Sequence, residues 1–493
     1  MRRLFLFTIP VFLLISFFVP GAVFAARTLS VGSSGADVVV LQDKLIVHGY
    51  LAAGLNIGRF GPATETALKK FQCANGIVCS GSVAEGYGVY GPRTQAALAL
   101  ATNYPKNPAS ISENLTPVAV GAFETSGWIP YWRATTGTQD VLPNLSKLTS
   151  VMPFGYTLKT DGTLADTAKL TEEPWVPFIA AARAAKVRIV PTVMSGDGDI
   201  IHRILSDTRS RIALEDEIAN VVKQNGFDGI DVDFEAKNRE TINYFSTFLK
   251  GLYARMGNKW VYCTIEARMP LEHRYLPGQI IPPDATDYAN DYKALNKYCD
   301  RVEIMAYDQG IIDQKLNGQR AAPYAPTADT EWVEALVRLA AQTISRNKLI
   351  IGIPTYGYEY KVTPLSNGAY QYKVLWPFNP KYATDMAQKL NITPFRNSAG
   401  EMGFVYYLTL LQAPSGTEST LLQQTPENPS ATITQNANGS STTIQLQPFN
   451  YVSWSDAQAI KDKVDLAKIL GVRGVAVFKF DGGEDQGTWN VLR

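Results

Sequence analysis

Across residues 123–493 the chain alternates between two hydrophobic rhythms. Short apolar runs, "GWIPYW", "TSVMPFGY", "VRIVPTVM", "GIDVDFE", "WVYCTIE", "DRVEIMAY", "KLIIGIP" and "GVAVFKF", carry the β-branched and aromatic residues that favour strands. Between most of them, apolar residues return every three or four positions, as in "TEEPWVPFIAAARAAK", "ETINYFSTFLKGLYARM" and "DTEWVEALVRLAAQTISRN". That is the period of a helix burying one face. Eight strand-then-helix units in this order predict an α/β fold, a (β/α)8 TIM barrel rather than an open sheet. More than a hundred residues separate the last two runs, far more than one helix requires. An α+β insertion is therefore expected at about 358–450, with a Ser/Thr/Gln/Asn-rich excursion over 414–446 forming a surface loop or hairpin.

The preceding part follows another pattern. "SSGADVVVLQDKLIVHGYL" places Val38, Leu41 and Leu45 at helical spacing. A near-repeat follows in "FGPATETALKKFQ" (60–72) and "YGPRTQAALALAT" (90–102), where Pro62 and Pro92 suit a helix's first turn. A small three-helix domain over 27–103 is expected, followed by a proline-containing linker over 104–122. At the start, Arg2 and Arg3 precede an apolar run ending in small residues near Ala25. This is the layout of a secretory signal over 1–26; an uncleaved anchor is the alternative, since the run approaches spanning length.

Composition narrows the function. A net charge of +1, 18% charged residues and a pI near 7.6 give no case for nucleic-acid binding. In an exported chain the four cysteines suggest two local disulfides, Cys73–Cys79 and Cys263–Cys299, with four buried thiols as the alternative. His48, His202 and His273 are scattered and read as surface or packing residues, without zinc or triad spacing.

One strand carries an unusual load. "FDGIDVDFE" (227–235) holds Asp228, Asp231, Asp233 and Glu235. Alternation puts Asp231, Asp233 and Glu235 on one face and Ile230, Val232 and Phe234 on the other. In a barrel the apolar face meets the helices, the acids point inward, and Glu235 reaches the C-terminal mouth, where barrel active sites lie. A metal site would need turns between its ligands rather than Val232 and Phe234. A structural ion-pair ladder would need basic partners, for which Arg188 and Lys479 are candidates, although Lys479 should alternate outward. Proton transfer fits best, because stacked acids push their pKa values apart and leave one protonated near neutral pH.

These residues resemble glycoside hydrolase family 18, the chitinases and related N-acetylglucosaminidases: "DGIDVDFE" matches its D-G-x-D-x-D-x-E signature at every fixed position. The resemblance implies that Glu235 is the general acid/base, that Asp233 orients the substrate's acetamido group, and that Asp231 tunes Asp233 from beneath. Asp228, in the same signature, is expected among the substrate-binding residues. The attacking group would be the substrate's own N-acetyl oxygen, with retained configuration and no metal or organic cofactor. "EIMAYD" resembles the family's M-x-Y-D, which implies that Met305, Tyr307 and Asp308 line the sugar subsite and that Tyr307 donates to the acetamido oxygen. "LIIGIPTYGY" resembles G-I-P-x-Y-G and implies a place for Tyr356 near the cleft. The final "YVSWSDAQAIKDKVDLAKILGVRGVAVFKFD" resembles the family's closing motif. Core packing is the plainer role for any single one of these aromatics.

Two departures stand out: Phe478 occupies the position where the family usually has a tryptophan floor, and Phe234 replaces the common tryptophan between Asp233 and Glu235. Trp454 and Trp489 are the candidates to compensate, with Trp454 placed among the substrate-binding residues. "DYKALNKYCDRVEIMAYD" is closer to the spore-germination, cell-wall-lytic branch than to typical chitinases. "GRFGPATETALKKFQCANGI...YGPRTQAAL" resembles the peptidoglycan-binding domain 1 family. The two resemblances imply a hydrolase of β-1,4 bonds after N-acetylglucosamine in peptidoglycan; with the signal and the composition, it is expected to be secreted and monomeric, with no nucleic-acid partner and no membrane partner beyond the signal. The alternatives are a chitinase and a catalytically silent glycan-binding protein; such lectins generally lack the acid at the Glu235 position.

Overall fold

The computed structural model describes residues 28–47, 50–51, 58–100, 122–365, 369–407, 431–434, 443–446 and 448–492. The chain divides into two compact units, Met1–Val118 and Ala119–Arg493. The signal at 1–26 and nearly all of the expected linker lie outside the described residues. Among the described residues no helix is long and apolar enough to cross a membrane.

The first unit holds three helices, α1 (Ala36–Val47), α2 (Pro62–Ala74) and α3 (Pro92–Leu100). Their apolar stripes meet in a core that includes Leu41, Leu45, Leu68, Phe71 and Leu98. The near-repeat has a structural cause. Gln42 on α1 donates to Thr64 Oγ1 at the start of α2 (2.8 Å), and Gln72 on α2 donates to Thr94 Oγ1 at the start of α3 (3.0 Å). In both cases the partner lies 22 residues on, so each F/Y-G-P-x-T segment supplies the threonine that satisfies a buried glutamine of the preceding helix. A disulfide joins Cys73 and Cys79 (Cα–Cα 4.3 Å) just beyond Phe71.

The second unit is the expected barrel. Its parallel strands are β1 (Glu124–Pro130), β2 (Ser150–Leu158), β3 (Thr192–Ser195), β4 (Gly229–Phe234), β5 (Trp260–Glu266), β6 (Arg301–Met305), β7 (Leu349–Pro354) and, last in the chain, a strand at Gly474–Phe478. Each strand pairs with its neighbour in chain order; Gly474–Phe478 pairs with both β7 and β1, and β1 with β2, which closes the ring. Ile230, Val232 and Phe234 face the surrounding helices, where Phe234 stacks on Phe248 of the helix Ile242–Met256. Trp128, Met152, Tyr262 and Ile350 fill the barrel interior. On the helix side, a disulfide ties Cys263 of β5 to Cys299 just before β6.

The insertion after β7 is a five-stranded antiparallel sheet: β8 (Gly357–Pro364), β9 (Tyr370–Phe378), β10 (Phe395–Arg396), β11 (Met402–Tyr406) and β12 (Phe449–Trp454), ordered β9-β8-β12-β11-β10. Gly474–Phe478 is accordingly β13 in chain order. The helix Pro380–Lys389 packs Ala383 and Ala387 against Phe404 and Trp454. Much of the polar excursion lies outside the described residues; within it, Ala431–Thr434 and Thr443–Leu446 pair as antiparallel strands.

Candidate active site

β4 delivers its acids in a column. Register places Asp231 between Thr192 and Tyr262, and Asp233 between Met194 and Thr264. Asp231 is fully buried and accepts hydrogen bonds from Trp128 Nε1 (3.0 Å), Thr192 Oγ1 (2.8 Å) and Thr264 Oγ1 (2.8 Å). Burial raises its pKa, and these three donors oppose the rise by favouring the carboxylate. Asp233, one step nearer the mouth, is 3% exposed, and its Oδ1 is buried without a partner among the described residues. Burial, then the charges of Glu235 and Asp231, push its pKa well above the ordinary carboxylate range, with Lys237 pulling the other way.

Glu235 follows the last residue of β4 and is half-buried, its N–H bound to the Ser195 carbonyl at 2.8 Å. Burial and the charges of Glu266 and Asp308 raise its pKa, against the pull of Lys237. Acids two residues apart on a strand stand about 7 Å apart along it, so Asp233 and Glu235 feel each other strongly where water is scarce. Both shifts run upward, so the open end of the column favours a protonated carboxyl, the property a general acid needs.

Aromatic rings close one side. Tyr307, just beyond β6, stacks on Phe478 (centroids 5.3 Å apart, planes 15° apart), and Trp128 and Tyr356 meet Phe478 edge-on at 5.9 and 6.1 Å. Phe478 thus sits at the centre of the cluster, flanked by three larger rings. Tyr356 and Tyr358 both donate to Asp308 Oδ1, at 2.5 and 2.8 Å. Asp308 itself holds φ +61°, an uncommon conformation for a residue other than glycine. Met305 ends β6, half-buried and paired in register with Glu266 at the end of β5.

The structure sets several expected residues apart from this group. Asp228 lies before β4, and its Oδ2 accepts the Ile189 N–H at 2.8 Å. It is seven residues from Glu235, about 23 Å along an extended strand, so it ties two strands together at the closed end instead of binding substrate. Asp300 does the same for Val261 (2.9 Å). Trp454 is 2% exposed and packs edge-on against Phe404 inside the insertion, while Trp489 stacks on Phe480 and donates to Asp140; neither replaces a tryptophan floor. Arg188 pairs with Glu124 (3.0 Å) and Lys479 with Asp481, so neither neutralises the β4 column. His202 bonds Thr241 and His273 bonds Asp313; His48 lies outside the described residues.

Four neighbours of the column were not singled out from the sequence. Trp128 reaches Asp231, and Glu303, fully buried on β6, lies 3.4 Å from both Thr264 Oγ1 and Ser126 Oγ. Burial, then the charge of Asp231, push Glu303 well up. The third and fourth are Lys237 and Glu266, 3.4 Å apart beside Glu235. Glu303 had a sequence signal, the same alternation that turns Met305 inward. Lys237 and Glu266 had none beyond their positions after a motif and at a strand end.

Comparisons with known proteins agree with this geometry. The family described as Glycosyl hydrolases family 18 matches residues 127–483, and the family described as Putative peptidoglycan binding domain matches residues 34–98. The chain is 22% identical over 300 residues to the uncharacterized glycosylase YvbX of Bacillus subtilis (strain 168), covering 60% of this chain and 70% of that protein. Its fold is similar to the spore cortex-lytic enzyme SleL of Bacillus cereus (18% identity, TM-score 0.53, 75% of this chain and 73% of that one). It is also similar to a class V chitinase of Pseudomonas fluorescens Pf-5 (21% identity, TM-score 0.55, 75% and 98%). The acid column at the mouth of a closed barrel and a family match over most of the chain lead to one conclusion: this chain belongs to glycosyl hydrolase family 18 and is a glycoside hydrolase.

Proposed function

We propose that the chain is a secreted cell-wall hydrolase that cleaves β-1,4 bonds after N-acetylglucosamine in peptidoglycan, by a retaining, substrate-assisted mechanism. One observation carries this reading: a column of acids opening at a barrel mouth, on a chain that also carries a peptidoglycan-binding-type unit. Likeness to a spore cortex-lytic enzyme fits the same substrate.

In this reading Glu235 protonates the glycosidic oxygen and later removes a proton from the attacking water. The unpartnered Oδ1 of Asp233 accepts the acetamido N–H, which aims the N-acetyl oxygen at the anomeric carbon. Asp231, held by three donors, keeps Asp233 from ionising freely. Tyr307 donates from above the Phe478 ring to the acetamido oxygen as charge builds on it.

Glu235→Gln is expected to lower hydrolysis of purified peptidoglycan by at least about 100-fold while wall binding persists. Lysis at the wild-type rate in that variant would sink the assignment. Mass spectrometry of the products separates the bonds: new reducing-end N-acetylglucosamine supports the reading, and reducing-end muramic acid refutes it. A parallel digest of chitin oligomers tests the second reading, which draws on likeness to chitinases in sequence and in fold.

A further inference from the structure

We propose that buried Lys237 and half-exposed Glu266 form a charge pair that positions Glu235 and sets how strongly the acids around it hold their protons; the proposal rests on Glu235 being the proton donor. Neither residue is part of the signature that carries the family resemblance. The Lys237 side chain is wholly buried, a rare state for lysine unless it is paired. Its ammonium donates to the Phe234 carbonyl, lies 3.4 Å from Glu266 Oε2 and sits 4.8 Å from the centre of the Phe245 ring. Glu266, at the end of β5, accepts the Ala236 N–H at 2.9 Å through Oε1 and the Asn290 amide at 2.8 Å through Oε2.

The two contacts to the main chain fall on either side of Glu235, at the carbonyl of 234 and the amide of 236. Ala236 has φ +52°, so the chain turns sharply there and needs an external hold to keep Glu235 aimed at the cleft. A staple of this kind could be built from neutral groups. Using an ammonium costs desolvation, and the charge is compensated by the acids that face it.

Three carboxylates face Lys237: Glu266, Asp233 and Glu235. Asp308 also faces Glu235, and Asp231 and the Tyr307 hydroxyl also face Asp233. Lys237 is therefore the cation set against this group of acids. It lowers the proton affinity of Asp233 and Glu235, and Glu266 raises it. The pair keeps the two effects in balance while both residues grip the same turn.

Opposite charges predict opposite consequences, which a merely structural staple does not. On the polymer that the wild type cleaves, peptidoglycan or chitin oligomers, Lys237→Met should move both limbs of the kcat/KM pH profile upward by about one unit or more, because a nearby positive charge is lost. Glu266→Gln should move both limbs downward, because a nearby negative charge is lost; glutamine can still accept from Ala236, and the Asn290 amide can turn to match it. Lys237→Met/Glu266→Gln should return the profile close to that of the wild type, with kcat rather than KM carrying any residual loss. Single variants that lose activity with an unmoved profile, or that both shift the same way, would overturn the proposal. If Lys237→Met does not fold, the direction of the Glu266→Gln shift decides alone: downward supports the pair, unmoved or upward refutes it. Glu235→Gln is assayed beside them; activity remaining there defeats the reading of Glu235, whereas an inactive Glu235→Gln with unmoved profiles in the other variants defeats only the charge pair.

Discussion

Buried acids occupy both ends of the barrel, and the two ends treat them in opposite ways. At the N-terminal end of the strands, Glu124 accepts from Arg301 (2.6 and 2.7 Å) and Arg473 (2.9 and 3.0 Å) and pairs with Arg188 (3.0 Å). The Trp260 ring lies against Arg188 and Arg301, at 4.5 and 4.8 Å. Burial alone would raise the Glu124 pKa, but Arg301 first, then Arg188 and Arg473, bring it down to about 2. From mid-barrel to the C-terminal end, Asp231, Glu303, Asp233 and Glu235 are all pushed up by burial, and Lys237 is a cation acting on Asp233 and Glu235. The same interior thus fixes a charge at one end and favours a bound proton at the other. Depth does not decide which; the number and sign of the neighbours do.

The largest effect that would test this contrast comes from Asp233→Asn. It should cost about 100-fold or more in kcat, yet leave the melting temperature unchanged or higher, because it removes a buried group whose charged form is unfavourable. A variant that is both inactive and strongly destabilised would mean that Asp233 is held as a paired charge, like Glu124. Next comes Glu124→Gln, which should lose about 3 kcal/mol in urea unfolding by leaving arginines without their partner, while the folded fraction keeps its turnover within about twofold.

Acid titration sharpens the same comparison. The folded pKa of Glu124 is depressed, so its contribution is present above the ordinary carboxylate range and fades as pH falls towards about 2. The folded pKa of Asp233 is raised, so its contribution is present at low pH and fades as pH rises past that range. Stability curves from about pH 2 to 8 should therefore lose their acid-side slope in Glu124→Gln and their neutral-side slope in Asp233→Asn. The smallest effect belongs to Glu303→Gln. Glutamine resembles the protonated acid, so stability should move by no more than about 1 kcal/mol; a loss of several would show that Glu303 is ionised.

How much of this was legible depends on the range over which each feature is set. The strands, the inward acids and the outward Ile230, Val232 and Phe234 followed from period-2 alternation, and the barrel from eight strand–helix units. The F/Y-G-P-x-T repeat was visible as a pattern, but its purpose, threonines satisfying Gln42 and Gln72, needed three helices packed together. Asp228 and Asp233 look alike in the motif, yet one ties strands at the closed end and the other faces the mouth. Trp454 and Trp489 were plausible sugar platforms by residue type alone; packing against Phe404 and Phe480 assigns them to cores.

By itself the sequence determined that acids would line one face of a buried strand and which of them would stand nearest the barrel mouth. Those are properties of a single strand, dictated by the direction of successive side chains. Only the tertiary structure decided which acids would find partners. Glu124 meets Arg301 across 177 residues, Asp231 meets Trp128 across 103, and Lys237 meets Glu266 across 29. Such meetings depend on the register with which the barrel closes. Since a carboxyl's pKa is set by charges within about 6 Å and by access to water, the chemistry of the acids was settled only when the ring of strands was complete.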